Sequence, residues 1–190
     1  LKSFAFSKKF TFLEEKKVPR TKGEETYFIM SPIAAHIKIF DEAMKNNRKS
    51  SETFFTKQMS FYSNKLDGVG ENPLTNPMEM GFSLFFLNQN NPEYCVRQSI
   101  EFLKFLGLKK ENLYFRVDGG SEFNKILGTD EELKNENIFQ WDSLEKFHLG
   151  NQRPQGFYAY PYYRHLNGIV PLGSIAYIKL KDKYYFDVLF

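Results

Sequence analysis

Side chains that could carry out catalysis are few in this chain and lie far apart. The three histidines are His36, His148 and His165, and the single cysteine is Cys95. A zinc or iron–sulfur site needs clustered imidazole and thiolate ligands, so these residues predict no metal centre. The sequence also lacks the GxGxxG, GxxxxGK[ST], CxxC and HExxH motifs, and no local motif therefore identifies a dinucleotide, P-loop or zinc site. His36 and Cys95 fall within predicted helices, where we expect them to pack rather than react.

Glu79 has the most informative context among the acidic residues. The segment from residue 65 to residue 86 reads KLDGVGENPLTNPMEMGFSLFF. It begins as a polar loop rich in Gly, Asn and Pro and ends as an apolar run, which is typical of a loop that leads into a buried strand. The pattern predicts a strand that carries a carboxylate near its start, beside a long loop.

The composition indicates one globular domain. The chain has 190 residues, of which 42% are hydrophobic and 26% charged, and it contains 21 Phe and 11 Tyr. A single cysteine permits no internal disulfide, no apolar run reaches the roughly 18 residues of a membrane span, and the charged N-terminal segment does not resemble a signal peptide. We therefore expect a cytoplasmic protein with no membrane partner. The net charge of +3 gives only weak support for a nucleic-acid partner.

The periodicity of apolar residues predicts the elements that must position any site. Helices are predicted after Ser31-Pro32, after Asn91-Pro92 up to Gly107, and in the acidic region 129–137. Strands are predicted at 26–30, 54–63, 80–87 and 112–118, and an antiparallel hairpin at 173–180 and 183–190. The first two helices have apolar stripes formed by Ile33, Ile37, Phe40 and Met44, and by Val96, Ile100, Leu103 and Leu106. Strands joined mostly by loops predict an α+β fold, with an antiparallel sheet flanked by helices.

Five segments resemble, in order, the catalytic domain of alanyl-tRNA synthetases, which are class II aminoacyl-tRNA synthetases. They are TYFIMSPIAAHIKIF, LDGVGENPLTNPMEMGFSLFF, EFLKFLGL, KFHLGNQRPQGFYAYPYYRH and GSIAYIKLKDKYYFDVLF. The resemblance covers residues 26–190 and leaves residues 1–25 as an N-terminal extension. It implies a class II synthetase-like core, activation of alanine or a similar amino acid by ATP with Mg²⁺, and tRNA as a further partner.

The resemblance also implies which residues contact ATP. The long loop would be the class II motif that folds over the nucleotide, with Lys65, Asn72 and Glu79 as nucleotide-binding residues. Adenylate formation uses a bidentate arginine on the α-phosphate, but the stretch 58–67 contains no arginine. The family's third motif, which clamps the γ-phosphate, would follow Asp187. The resemblance therefore predicts either a chain that continues past Phe190 or a fold without this clamp.

The amino-acid pocket is better preserved than the nucleotide site. By the same resemblance its residues would be Phe147 as a wall, Ser174 and Ala176 on one strand, and Asp187 as the partner of the α-amino group. An exposed strand aspartate is the alternative interpretation of Asp187. The chain is thus expected to be an active synthetase, or a degenerate relative that only binds an amino acid or adenylate.

Two other functions are compatible with the sequence. The tyrosines 158, 160, 162 and 163 could form an exposed face for a protein partner or a homo-oligomer. Alternatively, Tyr162, Tyr163, Arg164 and His165 could stack on RNA bases and pair with phosphates. Ordinary packing in a core or against a sheet would also account for these tyrosines.

Overall fold

The computed structural model describes residues 2–19, 31–45, 50–61, 76–128, 137–142, 146–150 and 153–190. The helices in these segments are α1 (Lys2–Ser7), α2 (Pro32–Lys45), α3 (Pro92–Phe105) and α4 (Phe123–Gly128), with a 3-10 turn at Lys110–Asn112. The strands are β1 (Thr11–Leu13), β2 (Glu52–Phe61), β3 (Met78–Gln89), β4 (Leu113–Asp118), β5 (Ile138–Trp141), β6 (Phe147–His148), β7 (Gln155–His165), β8 (Gly168–Pro171), β9 (Ser174–Leu180) and β10 (Lys183–Leu189). No helix in these segments is long and apolar enough to cross a membrane.

The described strands form one mixed sheet in the order β1-β2-β3-β10-β9-β7-β4-β5, with β6 and β8 also paired to β7. The pairs β1/β2 and β4/β5 are parallel, and the central pairs are antiparallel. The α+β prediction is therefore confirmed, with the correction that the sheet is mixed. Within the first 25 residues, α1 buries Phe4 and Ala5 in the core and β1 extends the sheet.

Local signals explain where the two long helices begin and end. Pro32 begins α2, and Asn91 Oδ1 accepts a hydrogen bond from the Tyr94 backbone N–H at 2.9 Å, which caps α3. Gly107 follows α3 with a φ of +90°, a conformation that favours glycine. Leu106, predicted on the buried stripe, is 43% exposed because α3 ends one residue before it.

Alternation along the strands separates two cores. On one sheet face, a larger core packs against α1, α3 and α4 and includes Leu84, Phe86, Phe186 and Val188. The opposite face carries a smaller core that packs against α2. The predicted hairpin of β9 and β10 is confirmed, and its register places Asp187 opposite Ala176. Because successive strand residues face opposite sides, Asp187 lies on the α2 face.

Gly156 lies where β7 passes close to β9. A Cβ atom at this position would be 1.8 Å from the backbone oxygen of Tyr177, so an alanine would force the two strands apart. We expect Gly156→Ala to lower the free energy of unfolding by about 3 kcal/mol, measured by urea denaturation. Gly128→Ala is the matched control, since its Cβ would have no atom within 4 Å. Equal stability of the two variants would contradict this account of the close approach between β7 and β9.

The predicted strand 26–30, the loop 62–75 and most of the predicted acidic helix lie outside the described residues. Lys65 and Asn72 belong to that loop.

Candidate functional site

A cavity of about 320 Å³ opens on the α2 face of the sheet. Helix α2 forms one side, the segment around β6 forms another, and β7, β9 and β10 form the floor. Its lining residues are Ser31, Ile33, Ala34, Ile37, Phe147, His148, Leu149, Gly150, Tyr158, Ser174, Asp187 and Leu189. This volume suits a small organic ligand rather than a large cofactor.

Asp187 is the one carboxylate among these lining residues. It pairs with Ala176 on β9 and with Phe85 on β3, so strands flank it on both sides, and its residue is only 7% exposed. Its Oδ1 atom has no hydrogen-bond partner among the described residues. Burial raises the pKa of Asp187 to about 7, since removal from water disfavours the charged form.

The electrostatics of the cavity favour a cationic guest. No Lys or Arg is among the described lining residues, and His148 is their one basic side chain. Asp187 is therefore a buried carboxylate with no Lys or Arg to pair with it in the described lining. A buried charge is stable only when it is paired and hydrogen-bonded. An ammonium group of a ligand would supply both the charge and the N–H donors.

Aromatic and aliphatic side chains form the walls around this carboxylate. Phe147 is buried and meets Tyr158 edge to face, with ring centroids 5.3 Å apart. Ile33, Ile37 and Leu189 complete the apolar walls. A low-dielectric surrounding of this kind strengthens any ion pair formed inside it.

An ion pair fixes the wall around β6 to helix α2. The Arg153 guanidinium donates to both carboxylate oxygens of Asp41, at 2.7 Å from Nε and 2.7 Å from Nη2. Arg153 Nη1 also donates to the Leu149 backbone oxygen at 2.6 Å. The hydrogen bonds from Arg153 lower the pKa of Asp41. Planar bidentate pairs of this kind hold their geometry well. The ion pair between Arg153 and Asp41 therefore keeps the wall around β6 at a set distance from α2.

The structure brings together three of the four residues predicted for the amino-acid pocket. Phe147, Ser174 and Asp187 line one cavity. Ala176 is buried in the strand beside Asp187 and is not among the lining residues. Leu149 and Gly150 fall within one of the segments that carry the family resemblance but were not among the predicted pocket residues, and Ser31 was predicted only as a helix cap. The inward position of Tyr158 could have been indicated only by the alternation of tyrosines in β7.

Glu79, predicted for the nucleotide site, does not line the cavity. It pairs with Ser60 near the start of β3, whereas Asp187 pairs with Phe85, six residues further along the same strand. At roughly 3.4 Å per residue, the two positions are about 20 Å apart. No Lys or Arg is among the described lining residues of the cavity. The loop predicted to contact ATP lies outside the described residues, so ATP binding stays a prediction. Among the described residues no group of three or more His, Cys, Asp and Glu is placed to hold a metal ion.

The remaining reactive side chains are packing residues, as predicted. His36 is buried, with Nε2 3.4 Å from Thr56 Oγ1. Cys95 is buried in α3, and desolvation raises the pKa of its thiol well above the ordinary value. A thiol in such a setting is not a nucleophile at neutral pH.

Comparisons with known proteins identify no relative of this chain, so a function is assigned from the cavity. No protein-family model matches the chain. A search of curated proteins gives no significant match either. The function is therefore inferred from the unpaired carboxylate of Asp187 and the walls around it.

Proposed function

We propose that this domain binds a small amino acid, or the aminoacyl part of a larger ligand, through an ion pair between the ligand ammonium and Asp187. The observation that carries the proposal is the buried Oδ1 atom of Asp187, which has no partner in a cavity whose other described lining residues include no Lys or Arg. Binding converts an isolated carboxylate into a hydrogen-bonded pair, and this gain provides the selectivity for amines.

The other lining groups favour a compact ligand with one polar end. Ser31 and Ser174 place hydroxyl groups at the cavity, and a hydroxyl donates to a carboxylate or carbonyl oxygen. Phe147 and the aliphatic walls leave apolar space for a short side chain. Alanine has these features, and so does an alanyl ester.

The resemblance to alanyl-tRNA synthetases supports the same ligand class. The mostly antiparallel sheet agrees with a class II core at the level of architecture, and Phe147, Ser174 and Asp187, assigned by resemblance, share one cavity. We therefore propose a relative of the synthetase catalytic domain in which amino-acid binding is the retained property. ATP-dependent activation of the amino acid and transfer to tRNA stay predictions.

Isothermal titration with four matched compounds tests the proposal. Alanine and alaninamide carry an ammonium group, whereas N-acetylalanine and propionate do not. We expect the first two to bind and the last two to show no measurable heat at the same concentrations. Equal affinity for alaninamide and N-acetylalanine, or no binding of either amine, would disprove the ion pair with Asp187. Alanine-dependent exchange of pyrophosphate into ATP measures activation separately.

A further inference from the structure

Beyond Tyr158, the cavity face of the sheet continues as a surface rich in aromatic side chains. We define the aromatic platform as Tyr114, Arg116, Phe139, Trp141, Tyr160 and Tyr162. Arg116 pairs with Tyr160 on β7 and with Phe139 on β5, and Tyr114 pairs with Tyr162. Directly paired residues share one side of a sheet, and Trp141 follows Phe139 at the alternate position of β5. The platform therefore spans three neighbouring strands on one face.

The edge of this platform is open to solvent. Phe139 is 52% exposed and Trp141 is 54% exposed. Tyr114 stacks on Phe139 with centroids 6.0 Å apart and an interplanar angle of 21°. The rings thus present flat faces and edges to the outside instead of filling a core, and large exposed aromatic groups of this kind usually mark a binding surface.

Guanidinium groups lie between the rings. The Arg116 guanidinium carbon is 5.5 Å from the Trp141 ring centroid, 5.2 Å from that of Tyr160 and 5.8 Å from that of Tyr162. Arg116 Nε is buried and has no hydrogen-bond partner among the described residues. Arg164 lies 4.6 Å from the ring centroid of Tyr114. Aromatic rings thus orient two cations within the platform.

Arg164 also lies at a second cavity, to which Tyr163 and His165 contribute from the opposite face of the sheet, since successive residues of β7 alternate. This open pocket, of about 480 Å³, is lined by Lys109, Asn112, Tyr163, Arg164, His165 and Leu166. Lys109 and Arg164 are cationic. The Arg164 guanidinium lies on the platform face, over the ring of Tyr114, where it can pair with the phosphates of a chain whose bases lie on the rings.

Among the residues of β4 and β5, Asp118 is the one acidic residue, and its register position is on the platform face. Its carboxylate already has a cation and a backbone donor as partners. Asp118 pairs with Trp141 in the register of β4 and β5. Its carboxylate accepts hydrogen bonds from Lys146 Nζ at 3.1 Å and from the Gly120 backbone N–H at 2.8 Å. Neither Arg116 nor Arg164 is therefore neutralised by Asp118, and both remain available for an anionic ligand.

We propose that the aromatic platform binds single-stranded nucleic acid. Bases stack on the exposed rings of Phe139 and Trp141, and phosphates pair with Arg164 and Arg116. Stacking surfaces with interleaved cations are the common solution for unpaired strands, because every base offers an aromatic face and every nucleotide a phosphate. A protein partner would need acidic groups at the same spacing as the phosphates. It would also lack the regular series of flat bases that a nucleic acid offers for stacking.

The structure corrects the stacking surface predicted from the sequence. Tyr162 and Tyr163 are adjacent in β7, so they lie on opposite faces of the sheet, and Tyr163 packs against the larger core. For the same reason the four tyrosines of the predicted protein-binding face do not share one side. Arg116 and Trp141 replace Tyr163, and neither was identified from the sequence.

The single tryptophan provides a direct test. We expect 12-mers of oligo-U and oligo-dT to quench Trp141 fluorescence. Because the first is RNA and the second is DNA, their affinities show whether the site prefers one of the two. By fluorescence anisotropy of labelled oligomers, Trp141→Ala should weaken binding about tenfold. Arg164→Gln should weaken binding and reduce its dependence on salt. Circular dichroism checks that both variants fold.

Two controls make the outcome decisive. Phe6→Ala removes an aromatic side chain that is 68% exposed on α1, across the sheet from the platform, and it should leave binding unchanged. Asp187→Asn should also leave oligomer binding unchanged, which separates this inference from the amino-acid site. No quenching at low salt, or equal affinity of Trp141→Ala and the unaltered protein, would overturn the proposal, as would selective binding of a protein partner with no oligomer binding.

Discussion

Asp187→Asn is expected to lower the affinity for alaninamide at least about a hundredfold. Asparagine has nearly the same shape but no negative charge, so the ligand ammonium would enter a buried site without its counter-ion. Loss of one partner of a buried ion pair costs roughly 3 to 5 kcal/mol, and each 1.4 kcal/mol corresponds to about a factor of ten in affinity. Isothermal titration of both proteins with alaninamide measures the difference.

Asp182→Asn is the matched control for this experiment. Asp182 lies in the exposed turn between β9 and β10, so the same chemical change removes a charge that is not buried. Its affinity for alaninamide should stay within about twofold of the unaltered protein. If Asp187→Asn behaves like this control, the carboxylate of Asp187 does not hold the ligand.

The second large effect is a loss of stability as the pH rises. Burial raises the pKa of Asp187 from 3.8 to about 7 in the folded protein, so the folded state holds this proton more tightly than the unfolded chain. The stabilisation from the protonated form is complete below pH 3.8 and is lost as the pH rises through 7. The loss at higher pH is about 4 kcal/mol, at about 1.4 kcal/mol per pKa unit.

Urea denaturation of the unaltered protein and of Asp187→Asn, between pH 4 and pH 8 without ligand, measures this effect. The variant has no titrating group at position 187, so the difference in free energy of unfolding isolates Asp187. Asp41 and Glu122, whose carboxyl pKa values are lowered by Arg153 and Lys179, have the opposite pH dependence, and the subtraction removes it. We expect the unaltered protein to become progressively less stable than the variant up to about pH 7. A constant difference would show that the Asp187 carboxylate is not desolvated.

Elements whose determinants are close in sequence were predictable. Asn91 and the proline after it specify the start of α3, and Gly107, two residues after Phe105, specifies its end. The turn between β9 and β10 has a left-handed residue, Lys181 with φ of +57°, and the alternating strands on either side predicted the hairpin. In each case the interactions that decide the structure lie within one helix or one turn.

The order of the strands was not predictable, because it depends on contacts between distant segments. Strand β7 pairs with the distant strands β4 and β9, and no local pattern specifies these partners. The contact between Arg116 and the ring of Trp141 likewise depends on the parallel pairing of β4 with β5, which no local pattern specifies. A family resemblance named three residues, Phe147, Ser174 and Asp187, that line one cavity, and a resemblance of this kind carries information about distant contacts. The position of Glu79 along β3 is set by the register with β2 and β10, and its assignment to a nucleotide site stays a prediction.

The unequal cores on the two faces of the sheet have a dynamic consequence. Helices α1, α3 and α4 share the larger core, whereas α2 rests on the smaller one. Segments with less buried apolar surface open locally at a lower free-energy cost than the whole protein. Opening of α2, once its ion pair with Arg153 is broken, would therefore cost less free energy than opening of the larger core, and it would widen access to the neighbouring cavity.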